Sequence, residues 1–229
     1  MATDFMPVER QQQILQLVNE LGAIRVTDLS ERFNVSVMTV RRDLQVLEEQ
    51  GLLSRSHGGA VSRRRFEREH YFDQKGRWKP EEKAAIGEHA AQMVEPGETI
   101  FVNSGSTALE FLRSLRPVEL RVITSNAGAV NVLQSATVEC IVLGGIYRPR
   151  SNSFVGGLAI QTLSHVYASR AFLGVDGISI ENGLTTPHHQ EAEITGEMIR
   201  RTRGTVIVIA DSSKVGGVAP FVTAPIDVV

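Results

Sequence analysis

The sequence predicts an α/β protein in two parts: a small helical unit closed by a glycine hairpin, then a larger domain with a mainly parallel sheet covered by helices. Three observations predict it. Apolar residues recur at helical spacing from Val8 to Leu47, one face at a time. Gly58 and Gly59 then sit between two short strand-forming stretches, which reads as a hairpin. From residue 79 onward short apolar runs alternate with helical patterns, as crossover helices over a parallel sheet do. A chain of 229 residues has room for two modest domains. Their expected bounds are 1–61 and 79–229, with the charged and aromatic stretch 62–78 as linker.

Composition excludes several classes. Hydrophobic residues make up 42% and charged residues 22%, the balance of an ordinary globular protein. A net charge of −2 excludes a general electrostatic sponge for nucleic acid, so any DNA contact must come from a local patch. The single cysteine, Cys140, can form neither an internal disulfide nor a thiolate zinc site. Its apolar run, Val138 to Leu143, reads as core. No apolar stretch is long enough to span a bilayer, and Met1 to Arg10 lacks the apolar core of a signal peptide. The expectation is a cytoplasmic protein without a membrane partner.

The first helix is expected from Val8 to Leu21, with Ile14, Leu17, Val18 and Leu21 on one face and Gly22 just past its end. The second begins after Thr27 as N-cap and buries Leu29 and Phe33. Asn34-Val35 makes a tight turn. The third starts at Ser36, another N-cap residue. Its inner stripe is Val37, Val40, Leu44 and Leu47, and Gly51 ends it. Leu52 to Val61 then reads as two short strands about Gly58-Gly59.

Two short helices joined by such a turn form a helix-turn-helix, and the hairpin adds a wing. The second helix of such a motif enters the major groove. Subtracting the inner stripe leaves Met38, Thr39, Arg41, Arg42 and Gln45 facing outward. Arginine pairs with guanine, glutamine with adenine, and threonine or methionine meets a thymine methyl. Ser36 and the free amides beside it suit a phosphate. Arg55, Ser56 and His57 on the wing would reach the backbone or the adjacent minor groove. From Ser36 to Arg65 there are six basic residues and three acidic ones, six minus three giving +3 in a chain of net −2. Solvated charges on a plain three-helix bundle would explain Arg41-Arg42 alone. The caps, turn, outward set and glycine hairpin together point to double-stranded DNA.

In the larger domain the apolar runs are Thr99–Val102, Leu120–Ile123, Val138–Leu143, Ala171–Val175, Thr205–Ala210 and Ile226–Val229. Helical patterns lie at 80–94, 107–115, 127–134, 157–166 and 189–202. The first run leads into Asn103, Ser104, Gly105, Ser106 and Thr107, the second into Thr124, Ser125 and Asn126. The third ends in Gly144 and Gly145, the fourth in Asp176 and Gly177, the fifth in Asp211 and Lys214. Open α/β sheets bind ligands beyond the carboxyl ends of their strands. Any one of these loops is ordinarily just a turn or a cap. Five of them on one rim, two feeding helix N-termini and one carrying a lysine, predict an anionic polar ligand.

The stretch VTDLSERFNVSVMTVRRDLQVLEEQGLLSRSHGGA, residues 26–60, resembles the winged helix-turn-helix signature of the DeoR (deoxyribose operon repressor-like) family. NSGST, VITSNA, VLGGIYR, SFVGGLA, FLGVDGI, GLTTP and ADSSKVG resemble its sensor domain. The likeness spans residues 8–229. It implies a Rossmann-like sensor fold similar to ribose-5-phosphate isomerase and the coenzyme A transferases. It also implies a repressor of a sugar-metabolism operon, relieved by a phosphorylated sugar and assembled as a homodimer or homotetramer. By that likeness Ser104, Gly105, Ser106 and Thr107 hold the phosphate, and Asp176, Asp211 and Lys214 meet the polar end of the sugar. Asn103 stands where the family often has aspartate, a change that bears on which hydroxyls are accepted. The family usually continues for another strand and helix past the position of Val229, so the likeness implies a C-terminally shortened sensor domain.

No cofactor and no metal are expected. His188 and His189 are adjacent, whereas a helical metal pair needs i, i+4 spacing. Neither a phosphate-binding P-loop signature nor a nucleophile elbow occurs. The competing reading is a phosphosugar isomerase-like enzyme with an accessory DNA-binding domain, using Asp176, Asp211 and Lys214 as acid and base groups. A winged helix-turn-helix has little reason to precede a metabolic enzyme, so the chain is expected not to be one.

Overall fold

The computed structural model describes residues 6–229 apart from residues 22, 57 and 63–69, and for residues 20, 21, 23, 56 and 61 the backbone alone. The chain divides into two compact units, Met1–Arg68 and Glu69–Val229.

The first unit holds α1 (Pro7–Leu21), β1 (Ala23–Arg25), α2 (Val26–Phe33), α3 (Val37–Glu49), β2 (Leu53–Ser56) and β3 (Gly59–Ser62). Helical periodicity puts Ile14, Val18, Leu29, Val40 and Leu44 into one buried core, which Leu53 of β2 joins. Asn34 takes the left-handed conformation (φ 50°) that ends α2, a role asparagine fills well. Ser36 caps α3 as expected, its hydroxyl accepting from the Thr39 amide at 3.1 Å.

Three local expectations change. Thr27 is not the cap of α2; Arg25 is, without a side-chain hydrogen bond. The cause is β1, which pairs with β3 and keeps the backbone extended through Arg25, so the helix starts at once afterwards. Thr27 instead donates to the Asp28 carboxylate at 3.2 Å. Val37 belongs to the helical stripe by spacing, yet is 38% exposed, because the stripe runs off the core at the helix's first residue. The wing also gains a strand, giving the sheet order β1-β3-β2. A Cβ at Gly59 would lie 2.0 Å from the Ile24 carbonyl oxygen, so the pairing needs glycine there. Gly22 and His57 lie outside the described residues.

The second unit is built on a five-stranded parallel sheet, order β12-β9-β4-β5-β6. Its strands are β4 (Thr99–Val102), β5 (Leu120–Thr124), β6 (Val138–Val142), β9 (Arg170–Leu173) and β12 (Val206–Val208). Alternate side chains go to opposite faces. Ile100, Val102, Val122 and Phe172 join Phe111 and Leu112 on one side. Phe101, Ile123, Leu173 and Met198 form the core of the other. Burial on both faces is why these strands read as continuous apolar runs. The helices are α4 (Phe72–Gly76), α5 (Pro80–Ala91), α6 (Ser106–Ser114), α7 (Ala129–Val132), α8 (Gly157–Ser164) and α9 (His189–Arg201).

A hairpin, β7 (Ile146–Arg148) with β8 (Ser153–Val155), and an antiparallel sheet, β10 (Gly177–Ser179), β11 (Gly183–Thr186) and β13 (Phe221–Ala224), complete the unit. The expected helix 127–134 shrinks to α7, because the Ala127 amide is bound to the Asn152 carbonyl and the Gly128 amide to the Asn126 side chain. The terminal run Ile226–Val229 is no strand; after Pro225 it forms a 3-10 turn, Ile226–Val228. Cys140 is half-buried, and burial pushes its thiol up. No described helix is long and apolar enough to cross a membrane.

Candidate functional site

The outer face of α3 carries the side chains singled out for base reading. Met38 is 70% exposed, and Arg41, Arg42 and Gln45 are exposed as well. Thr39 is half-buried, its hydroxyl 2.9 Å from that of Ser36. Gln45 donates to Glu49 at 2.9 Å, an internal bond that a base edge would have to displace. Asp43 faces the other way. It is buried and accepts from the Arg10 guanidinium at 2.6 Å and from Gln11 at 3.0 Å, which fixes the roll of α3 against α1. On the wing, Arg55 meets Glu48 twice: its backbone amide at 2.8 Å and its guanidinium at 2.5 Å. Surface pairs of this kind contribute about 1 kcal/mol or less, so Glu48 aims Arg55 without withholding it. His57 and the run Arg63 to Arg65 lie outside the described residues.

The rim of the second unit is organised by two buried asparagines. Asn103 donates to the Gly174 carbonyl at 2.8 Å and to Thr195 at 3.1 Å, and accepts from the Gly174 amide at 2.8 Å. Asn126 donates to the Gly105 carbonyl at 3.1 Å and accepts from the Gly128 amide at 3.0 Å. Both side chains are thus spent on joining the loops after β4, β5 and β9. Thr124 and Ser125 are buried beneath them. Gly105 stands at φ 126°, ψ 161° before α6, a region open to glycine alone. Its loop leaves Ser104 and Ser106 partly accessible and Thr107 buried. Gly144 and Gly145 are exposed, and Gly145 lies hard against the Val155 carbonyl, 2.5 Å from where a Cβ would stand.

After β9 and β12, at the carboxyl ends of the same parallel sheet, lies a charged cluster. Asp176 accepts from Lys75 at 2.7 Å and from Thr186 at 3.1 Å, with Lys214 at 3.8 Å. Burial would raise its carboxyl, but the charges of Lys75 and Lys214 and the bonds from Lys75 and Thr186 outweigh burial and hold it well below the usual carboxylate range. Asp211 is likewise pushed up by burial and brought below its ordinary value by the Ser213 hydrogen bonds, Lys214 and Lys79. Lys79 stands 3.7 Å from Asp211 and 3.4 Å from the Ser212 hydroxyl. The second carboxylate oxygen of Asp211 is buried without a hydrogen-bond partner among the described residues. Gly177 lets β10 pass 2.5 Å, measured from a would-be Cβ, beside the Gly217 carbonyl.

The predicted pair Asp176 and Lys214 meets here. Lys75, Lys79 and Thr186 join it, although sequence reasoning passed over all three. Lys75 lay in the stretch read as linker, and its partner is 101 residues away. Another network missed from the sequence ties β7–β8 to α9: buried Glu191 accepts from Arg148 at 3.1 Å and from Ser153 at 2.9 Å. Among the described residues no group of three or more His, Cys, Asp or Glu side chains could hold a metal. The rings of His188 and His189 stack at 4.8 Å.

A winged helix-turn-helix ahead of an α/β domain with a polar, charged rim defines a DNA-binding transcription regulator with a sensor domain. Residues 10–66 match the DeoR-like helix-turn-helix domain, and residues 78–229 match the DeoR C terminal sensor domain. The chain belongs to the DeoR family of transcriptional regulators. It is 38% identical over 209 residues, 91% of this chain and 81% of the relative, to the uncharacterized HTH-type transcriptional regulator YulB of Bacillus subtilis. It is 37% identical over 212 residues to the lactose phosphotransferase system repressor of Streptococcus mutans, covering 91% of this chain and 84% of that one. Ribose 5-phosphate isomerase A of Methanocaldococcus jannaschii superposes on 59% of this chain and 54% of its own, at 18% identity and TM-score 0.42.

Proposed function

We propose that this chain is a sequence-specific repressor of a sugar-related operon, acting in the cytoplasm, whose sensor domain binds a phosphorylated sugar and thereby releases the operator. The observation that carries the reading is the rim. Two ionised carboxylates and three lysines gather at the carboxyl ends of the same parallel sheet from which a glycine loop opens α6, so acceptors for hydroxyls share a rim with donors and a helix dipole suited to phosphate. The Streptococcus mutans relative, a repressor of a lactose phosphotransferase system, supports the sugar side of it. On the DNA side, Met38, Thr39, Arg41, Arg42 and Gln45 read bases, while Ser36, Arg55 and His57 hold the backbone. A homodimer or homotetramer presents two such helices to half-sites about one helical turn apart or a multiple of it.

The rim suits a sensor better than an enzyme. A general base works best with a pKa near the working pH, and Asp176 is held far from that by its lysines. Ligand acts here only through its differential affinity for the DNA-competent and DNA-incompetent states. The test is a duplex selected from a random pool on the full-length protein, followed by mobility-shift titration with pentose and hexose phosphates. Release by one of them is expected. Unchanged binding with every sugar phosphate overturns the effector reading, and sustained turnover of one at enzymic rates overturns the sensor reading.

A further inference from the structure

The buried face of α3 reads Val40, Asp43, Leu44 and Leu47, the i, i+3, i+4, i+7 pattern of a core stripe. An aspartate, a poor helix former, takes a place where the pattern asks for an apolar side chain. Asp43 is 4% exposed and Arg10, its partner on α1, 8%. Among the described residues of this unit no other charged side chain is buried. Both carboxylate oxygens are occupied. Arg10 donates from Nε to Oδ2 at 2.6 Å and from Nη2 to Oδ1 at 3.4 Å, and the Gln11 amide donates to Oδ1 at 3.0 Å. Stability alone does not call for this arrangement. Taking two charges out of water is costly, and apolar side chains of similar volume in place of a buried pair are often as stable or more so. What apolar contacts lack is direction. Valine and leucine favour any pose of α3 that keeps them covered, and a small roll about the helix axis leaves much of that cover in place.

We propose that Arg10 and Gln11 are positioning residues for base selection: through Asp43 they hold the roll of α3, and with it the register of the side chains that meet the major groove. This rests on the reading above that α3 reads bases. Arg41 and Arg42 stand immediately before Asp43 and Gln45 two residues after it, all three exposed. Fixing Asp43 therefore fixes the direction in which all three leave the helix. A helix with its side chains is about 10–12 Å across, so a roll of about 20° carries the tips on its outer face through about 2 Å. Hydrogen bonds to a base edge tolerate about 0.5 Å in length, so a roll of that size breaks them. Arginine suits the role because its planar fork meets a carboxylate in one orientation, where the ammonium of lysine accepts several. Neither Arg10 nor Gln11 needs to touch DNA to have this effect.

The test uses the full-length protein and a duplex that the wild type selects from a random pool. Affinity is measured for that duplex, for its single-base variants and for a duplex of unrelated sequence. The double variant Arg10→Met, Asp43→Leu removes both charges at similar volume. It is expected to keep its affinity for the unrelated duplex, because Arg41 and Arg42 keep their charges. Its preference for the selected duplex over the single-base variants is expected to fall about ten-fold, the discrimination carried by one bidentate base contact. Arg10→Lys keeps the charge and loses the fork, and should lose a smaller part of the same preference. Where the double variant does not fold, Arg10→Lys decides by the same ratio. Wild-type preference in the folded variants overturns the proposal and leaves the reading of bases by α3 intact. A loss that falls equally on selected and unrelated duplexes also overturns it, because the pair then serves the fold alone. If the wild type itself selects no preferred duplex, the reading of bases by α3 fails, and the proposal with it.

Discussion

At the scale of single residues, the two units use charge in opposite ways. Arg41 and Arg42 lie exposed on α3, free to meet DNA, whereas Asp43 between them and the core is buried against Arg10. Replacing Arg42 by alanine is expected to weaken operator binding by about 1–3 kcal/mol if it reads a base, with relaxed specificity at one base pair. Binding measured across a set of single-base operator variants checks this, and an equal loss on every sequence makes Arg42 a phosphate contact instead. In the sensor unit the corresponding residue is Asp176. Its folded carboxyl lies below the unfolded value, so it adds stability above the ordinary carboxylate pKa and loses that stability as pH falls toward the folded one. Urea unfolding of wild type and Asp176→Asn should therefore diverge most above about pH 5 and converge toward pH 3. A gap that stays constant over that range would mean the carboxyl is not depressed.

At the scale of elements, α5 packs closely on α6 at Gly87. A Cβ there would stand 2.7 Å from the Phe111 amide nitrogen and 2.8 Å from the Glu110 carbonyl carbon, both backbone atoms of α6. Gly87→Ala gains helix propensity of about 1 kcal/mol, but α5 must lift off α6, and overpacking of this kind costs about 1–3 kcal/mol. A lower urea midpoint with an unchanged slope is the expected outcome; a raised midpoint would show that α5 can shift freely. Which elements were legible follows from the same physics. α1 and α3 carry apolar faces at helical spacing, and Ser36 announces the start of α3 chemically. The parallel strands are buried on both faces and read as apolar runs. β1 is three residues long and exists through its pairing with β3, which no local pattern encodes. β7, β8, β10 and β11 are three or four residues each, too short for periodicity to register. The rim's loops were visible as glycines and small polar residues at five strand ends. Lys214 was visible with them, but Lys75 and Lys79 were hidden, because nothing in spacing says that Lys75 will meet Asp176.

At the scale of the whole molecule, the proposed switch has DNA binding as its output and a sugar phosphate as its input, which requires the two affinities to be linked. Saturating operator is expected to weaken sugar-phosphate binding by the same factor by which saturating sugar phosphate weakens operator binding. Calorimetric titration of the sugar phosphate with and without the operator duplex measures one factor and mobility shift the other. Unequal factors would mean that the two ligands do not act through one equilibrium. Asn103 and Asn126 bear on the cost of such a response. Between them they lash together the loops after β4, β5 and β9, so those loops are joined to one another before any ligand arrives. Loops tied in advance have little freedom left to surrender when a ligand enters, and the free energy of its binding is then left for the step that changes the grip on DNA.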